Sequence, residues 1–300
     1  MANTFDPTEV ASVAIELAKK DFVLSGLVFR DAENEYSRGT GHVAKVVIPG
    51  AGKAVVKDAT DVLSAIPAQD LTEQTVSVTL KSVHARAVLS EADLSVGLTD
   101  YARQVVRPLT TPVVDAAEAA IGTVMNATTL NAGLAYTAAT LLSKITAARA
   151  SLIVNGLGVN ETVHAVLGVN AYGLLLDTGV LDNAPATGAP KVRNVFIHES
   201  GRIADPDDVI VFTPRAFALA VRAPEVPASA PNGAKVQSTE SGFGIRYLQT
   251  FDASTAAESA LVSTFVGATA LPLPVFDATN GGVDLVTGGG ATRFTVAAAG

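Results

Sequence analysis

Residues 98–128, LTDYARQVVRPLTTPVVDAAEAAIGTVMNAT, form the longest helix-compatible stretch of the chain. Thr99 is placed as an N-cap, with Asp100 in the first turn, where a carboxylate offsets the positive end of the helix dipole. Pro108 and Pro112 predict a kink or a restart, because proline removes a donor and clashes one turn back. Beyond Pro112, Val113, Ala117, Ile121 and Val124 recur at helical spacing, while Asp115, Glu118 and Asn126 mark the opposite face. At 1.5 Å per residue the stretch would span roughly 45 Å, a spine rather than a short packing helix. Ala116, Ala119, Ala120 and Gly122 keep its sides narrow enough for close neighbours.

On the N-terminal side, Asp6-Pro7 reads as a cap and first helical residue, with Val10, Val13, Ala14, Leu17 and Ala18 on one face. The following DFVLSGLVFR is apolar on too many sides to stand alone, so residues 1–38 read as an arm needing support. From Gly39 the period changes to two. VAKVVIP (43–49) and KAVVK (53–57) are predicted strands joined by Gly50-Ala51-Gly52, and TVSVTLKSV (75–83) alternates Val76, Val78 and Leu80 against Ser77, Thr79 and Lys81. Such a β-excursion has little core of its own.

On the C-terminal side, residues 137–155 predict an amphipathic helix with Leu141, Ile145, Ala148 and Leu152 inward and Asn155-Gly156 as its stop. TVHAVLGV (162–169), VRNVFI (192–197) and DVIVF (208–212) read as strands. Asn170 is placed as cap of a helix ending at 177–179, and Thr213-Pro214 as the start of a helix through Val221. The alternation implies a small mixed α/β subdomain. FGIRYLQTF (243–251) and ALVSTFVGATAL (260–271) are further strands, and glycine-interrupted β-like pieces follow Pro274.

Composition narrows the function. The net charge of −8 and the absence of any basic cluster argue against a dedicated nucleic-acid binder. No cysteine means no disulfide, thiolate metal site or thiol nucleophile. Only 17% of residues are charged and the mean hydropathy is +0.35, yet no run reaches the roughly 18 apolar residues of a membrane helix. The surplus apolar surface points to subunit contacts. No secretory signal is read at MANTFDPTEV, so synthesis in a cytoplasm is expected.

Catalytic patterns fail one by one. Gly50-Ala51-Gly52-Lys53 lacks the earlier glycine and the Ser or Thr of a phosphate loop. His198-Glu199 is followed by Arg202 where a zinc-protease helix needs its second histidine. Ser241 lacks the preceding glycine of a nucleophile elbow. His42, His84, His164 and His198 show no metal-ligand interval, and His164 reads as a hydrogen-bonded core histidine. Asp205, Asp207 and Asp208 read as a solvated turn, without the ligand spacing of a calcium loop. No catalytic, cofactor-binding or metal-ligating residue is expected, and no cofactor.

The order of parts resembles the major capsid protein of tailed bacteriophages, the Hong Kong 97-like fold, and within it most resembles the Salmonella podophage coat-protein group. The likeness is carried by Leu27-Val28 through Glu35-Tyr36, Gly41-His42-Val43 and Ile48-Pro49; by Val88 to Leu94; and by Val209 to Phe212, Arg215 to Ala220 and Gly244-Ile245-Arg246. It implies an α+β chain with an N-terminal arm (1–38), an extended β-loop (39–88) and a peripheral domain carrying the spine helix (89–160 with returning strands 240–270). An axial α/β domain (161–239) and a C-terminal tail or small appendage (271–300) complete it. It further implies a homo-oligomer of hexamers and pentamers closing an icosahedral head around double-stranded DNA, contacted non-specifically. Portal and possible scaffolding or decoration proteins would be partners, with the virion as location after assembly in the bacterial host cytoplasm and no membrane role. Lys53 and Lys57 are available for the inter-subunit lysine–asparagine bond of some relatives, but no second half is identified and none is expected. Two alternatives stay open: an encapsulin-like compartment shell, and a small α/β ligand-binding protein or enzyme.

Overall fold

The computed structural model describes residues 6–19, 23–30, 43–48, 56–60, 64–66, 74–89, 101–181, 189–230, 232–237, 243–252, 257–276 and 283–297. In chain order it begins with α1 (Pro7–Lys19), β1 (Val43–Ile48), β2 (Gln74–Thr79) and β3 (Lys81–Leu89). A π-helical turn at Ala102–Val106 leads into α2 (Arg107–Asn126), followed by α3 (Leu141–Val154), β4 (His164–Leu167) and α4 (Val169–Asp177). Then come β5 (Lys191–Val192), β6 (Val195–Glu199), β7 (Val209–Phe212), β8 (Phe217–Arg222) and β9 (Gly233–Gln237). The last strands are β10 (Gly244–Asp252), β11 (Ala257–Ala270), β12 (Leu273–Phe276), β13 (Val283–Val286) and β14 (Ala291–Phe294). β1 and β2 form a two-stranded sheet, as do β12 and β13. The chain divides into two compact units.

The first unit comprises Met1–Ala44, Val78–Val124 and Ala218–Thr269. Its sheet runs β3-β11-β10-β9, with β8 joined through β11. Asp6 caps α1 as expected, its carboxylate accepting the Thr8 N–H at 2.8 Å, and α1 packs on β9 and β10. The kink or restart expected at the prolines takes the form of a change of helix type next to Pro108. Pro108 lies in the first turn of α2, and the irregular π turn lies just before it, where Pro108 can donate no hydrogen bond back to the preceding residues. Pro112 sits inside α2, with Thr110 and Thr111 hydroxyls donating to the Val106 and Arg107 carbonyls alongside. The proposed caps Thr99 and Asp100 lie outside the described residues.

The buried stripe of α2 is Leu109, Val113, Val114, Ala117, Ile121 and Met125, and Glu118 is buried with it. Glu118 thus departs from the polar face expected for it, and Val124, expected inside, is only half-buried. The helix expected from Thr213 to Val221 does not form. Pro214–Ala216 is a single 3₁₀ turn, and Phe217–Arg222 continues as β8. Pairing with the long strand β11 outweighs the helix preference of an Ala- and Leu-rich segment.

The second unit comprises Lys45–Ser77, Met125–Phe217 and Ala270–Gly300. Its five-stranded sheet runs β14-β7-β4-β6-β5, with β4 and β6 parallel and the other pairs antiparallel. α4 lies within the crossover between the two parallel strands, as a βαβ connection requires. One sheet face, with Ala165, Leu167, Val195, Ile197, Val209, Val211 and Phe294, packs on Leu141, Ile145, Ala148 and Leu152 of α3 and Ala171 and Leu175 of α4. The α3 stripe is the one expected, and Gly156 (φ +102°) ends it in the left-handed conformation that glycine accepts. The cap of α4 is Gly168 in place of Asn170: a Cβ at Gly168 would lie 2.4 Å from the Pro206 carbonyl oxygen.

The segment 192–197 is not one strand. Arg193 and Asn194 both take positive φ, in the two-residue turn that separates β5 from β6. Beyond Pro274, short β pieces form as anticipated, but β14 is no appendage. It is an edge strand of the sheet, and the chain beside it meets residues 130–136 through the Asn131 N–H to the Arg293 carbonyl and the Ala297 N–H to the Tyr136 carbonyl, both 2.7 Å.

Candidate functional site

The residues weighed for chemistry in the sequence scatter in the structure, with one exception. His42, the Gly50–Lys53 turn and Ser241 lie outside the described residues. Lys57 donates to the Ser64 carbonyl. His84 on β3 meets the Ser82 hydroxyl at 2.6 Å. Among the described residues no three His, Asp or Glu side chains converge on a common point, and no helix is long and apolar enough to cross a membrane.

The aspartates at 205–208 build a turn. The Asp205 carboxylate accepts the Asp207 N–H at 3.0 Å, and the Tyr136 hydroxyl donates to the Asp207 carbonyl at 2.6 Å. Asp208 is buried and paired: Arg293 of β14 donates through Nε at 2.8 Å and approaches with a terminal nitrogen at 2.6 Å, while its other terminal nitrogen donates to the Asn126 carbonyl at 2.7 Å. No sequence signal joined Asp208 to a residue 85 positions later. The carboxylate serves the fold here.

The exception is His164 with His198. Parallel pairing sets His164 opposite Phe196 and Val166 opposite His198, which brings His164 Nδ1 to 3.0 Å from His198 Nε2. Only the β4–β6 register could have revealed this pair. Burial, followed by the neighbouring His164, pushes the His198 imidazole down to about 4, and burial lowers His164 also. A ring held well below its ordinary value is a weaker base than a free imidazole.

What the surface offers instead is unpaired apolar area. Val56 is 94% exposed and Ile66 72% exposed, both in the excursion between β1 and β2. In the first unit Val88 on β3 and Phe251 on β10 are also exposed, and in the second unit Val154 and Val159 near the end of α3. In the first unit the arm does find support. Leu24 and Ser25 donate their N–H groups to the Glu118 carboxylate at 2.9 Å each, Ser25 adds its hydroxyl at 2.5 Å, and Phe29 bridges to Ala218.

Neither a scan against protein-family models nor a sequence search of curated proteins finds a match. Solved structures do match. A chain described as Mycobacterium phage Che8 is similar at 17% identity and TM-score 0.55, over 91% of this chain and 90% of that one. The capsid of Ralstonia phage GP4 is similar at 9% identity and TM-score 0.55, over 93% and 90%. A virus-like particle from Pyrococcus furiosus is similar at 10% identity and TM-score 0.53, over 95% and 97%. The chain therefore has the α+β, Hong Kong 97-like fold found in phage capsids. That likeness runs nearly end to end in both partners, and it does not distinguish among groups sharing the fold.

Proposed function

We propose that this chain is the major capsid protein of a tailed bacteriophage, a structural subunit without catalytic chemistry. The observation that carries the reading is the match of fold across about nine-tenths of both chains to phage capsid structures. Copies associate as hexamers and pentamers and close into an icosahedral head around double-stranded DNA, with a portal at one vertex and scaffolding or decoration proteins as further partners. The grouping with Salmonella podophage coat proteins is part of the proposal and rests on the quoted residues between 27 and 49, 88 and 94, and 209 and 246.

On this reading residues 1–38 are the arm, 39–88 the extended loop lying on a neighbour, 89–160 with 240–270 the peripheral domain and 161–239 the axial domain. The compact units group the chain differently, joining 125–217 with 270–300, so the assembly domains are argued from the family likeness. The physical chemistry is consistent. An acidic subunit makes few tight phosphate contacts and leaves the packaged DNA to its counterions. Cohesion without disulfides comes from apolar area repeated over many interfaces, and exposed side chains such as Val56 and Ile66 supply such area.

The purified chain should run on size exclusion as capsomers or closed particles, visible by negative-stain microscopy. A stable monomer at 30.6 kDa would overturn the reading. The match to the Pyrococcus furiosus virus-like particle keeps one second reading in view, a compartment shell. Particles that co-purify with a cargo enzyme and no DNA would favour it.

A further inference from the structure

We propose that the His164–His198 pair is an acid-sensitive fastener between the two parallel strands at the centre of the second unit's sheet. The geometry suits a single N–H···N hydrogen bond. The facing nitrogens are 3.0 Å apart and the ring centroids 5.2 Å, so each nitrogen lies nearly on the line joining the rings. A metal ion bridging the same two nitrogens would need them to converge at an angle, whereas a head-on approach suits an N–H···N hydrogen bond.

Aromatic rings flank the pair. Phe196 of β6 and Phe212 of β7 flank His164 with centroids at 5.6 and 6.0 Å, and the Lys191 ammonium of β5 stands 5.2 Å from the Phe196 ring centroid. Glu199, next along β6, is exposed and alternates to the other side of the strand. Among the described residues, burial lowers the proton affinity of both rings, and for His198 the other histidine lowers it further.

Proton counting gives the response. With both rings neutral, one N–H donates and the other nitrogen accepts. One added proton leaves that bond in place as imidazolium to imidazole. A second makes both rings donors, and the bond is lost between two like charges. Unfolded, both rings take protons near 6.5. Folded, His198 does so only at about 4. The folded state therefore binds fewer protons throughout this interval. Stability from the pair is complete above 6.5, declines as pH falls toward about 4, and levels off below.

The test uses the full chain. Imidazole resonances followed by NMR should show neither ring titrating near 6.5, and backbone hydrogen exchange in 163–167 and 195–199, corrected for intrinsic rates, should quicken at least tenfold from pH 7 to pH 4. His198→Gln, which can still accept or donate at one position, should flatten that dependence. Rings that titrate near 6.5 in the unmodified chain, or identical exchange profiles in both proteins, would overturn the inference. The NMR measurement needs no variant, so it decides the matter even where His198→Gln fails to fold.

Discussion

Glu118 illustrates what a helical wheel conceals. It lies beside the apolar stripe of α2, and a carboxylate there reads as solvent-facing. In the fold it is 4% exposed, because the arm at Leu24 and Ser25 covers it and donates three hydrogen bonds. Glu118→Ala strands those donors and should lower stability by about 3 kcal/mol, since an unmet buried donor costs about 1–3 kcal/mol and water meets part of the loss. Glu118→Gln keeps one acceptor oxygen and should cost roughly half as much. Urea unfolding measures the difference, and proteolysis near Leu24 should quicken in step; equal stability of both variants with the parent would disprove the clamp. The residues visible from the sequence were those whose role is local: Asp6 at a helix start, Gly156 at a stop. Glu118, Asp208 and the histidine pair were hidden, because each depends on a partner at least 34 positions distant.

Among elements the same division holds. α3 was visible because Leu141, Ile145, Ala148 and Leu152 repeat at helical spacing and all are buried. β8 was not, because FALAVR favours a helix until β11 is placed beside it. The glycines at 288–290 interrupt the β-like pieces before β14, but nothing local fixes its register against β7. Besides its ladder to β7, β14 is tied by Arg293, whose guanidinium joins buried Asp208 and the Asn126 carbonyl. Arg293→Ala leaves that carboxylate buried and unpaired, a loss of about 3 kcal/mol or more. The double variant Arg293→Ala with Asp208→Asn should recover part of it. Thermal unfolding of the three proteins decides, and a single variant as stable as the parent would remove Arg293 from this role.

For the whole molecule, the order of arm, β-excursion, long helix and mixed sheet sufficed to imply the fold, although no family profile recognises the chain. Weak similarities in sequence order survive where identity has fallen to 17% or less, because layers and connections constrain a chain more than any one side chain does. If residues 39–88 bridge subunits, deleting 50–70 should leave a folded chain that forms few particles; intact particle yield would refute the bridging role. Both compact units are assembled from three separated segments, and the sheet of the second acquires its edge only with residues 291–294. During translation, therefore, neither unit can close until most of the polypeptide has left the ribosome. Nascent chains arrested before residue 291 would lack the strand that pairs with β7, leaving that edge open to strand pairing with other chains.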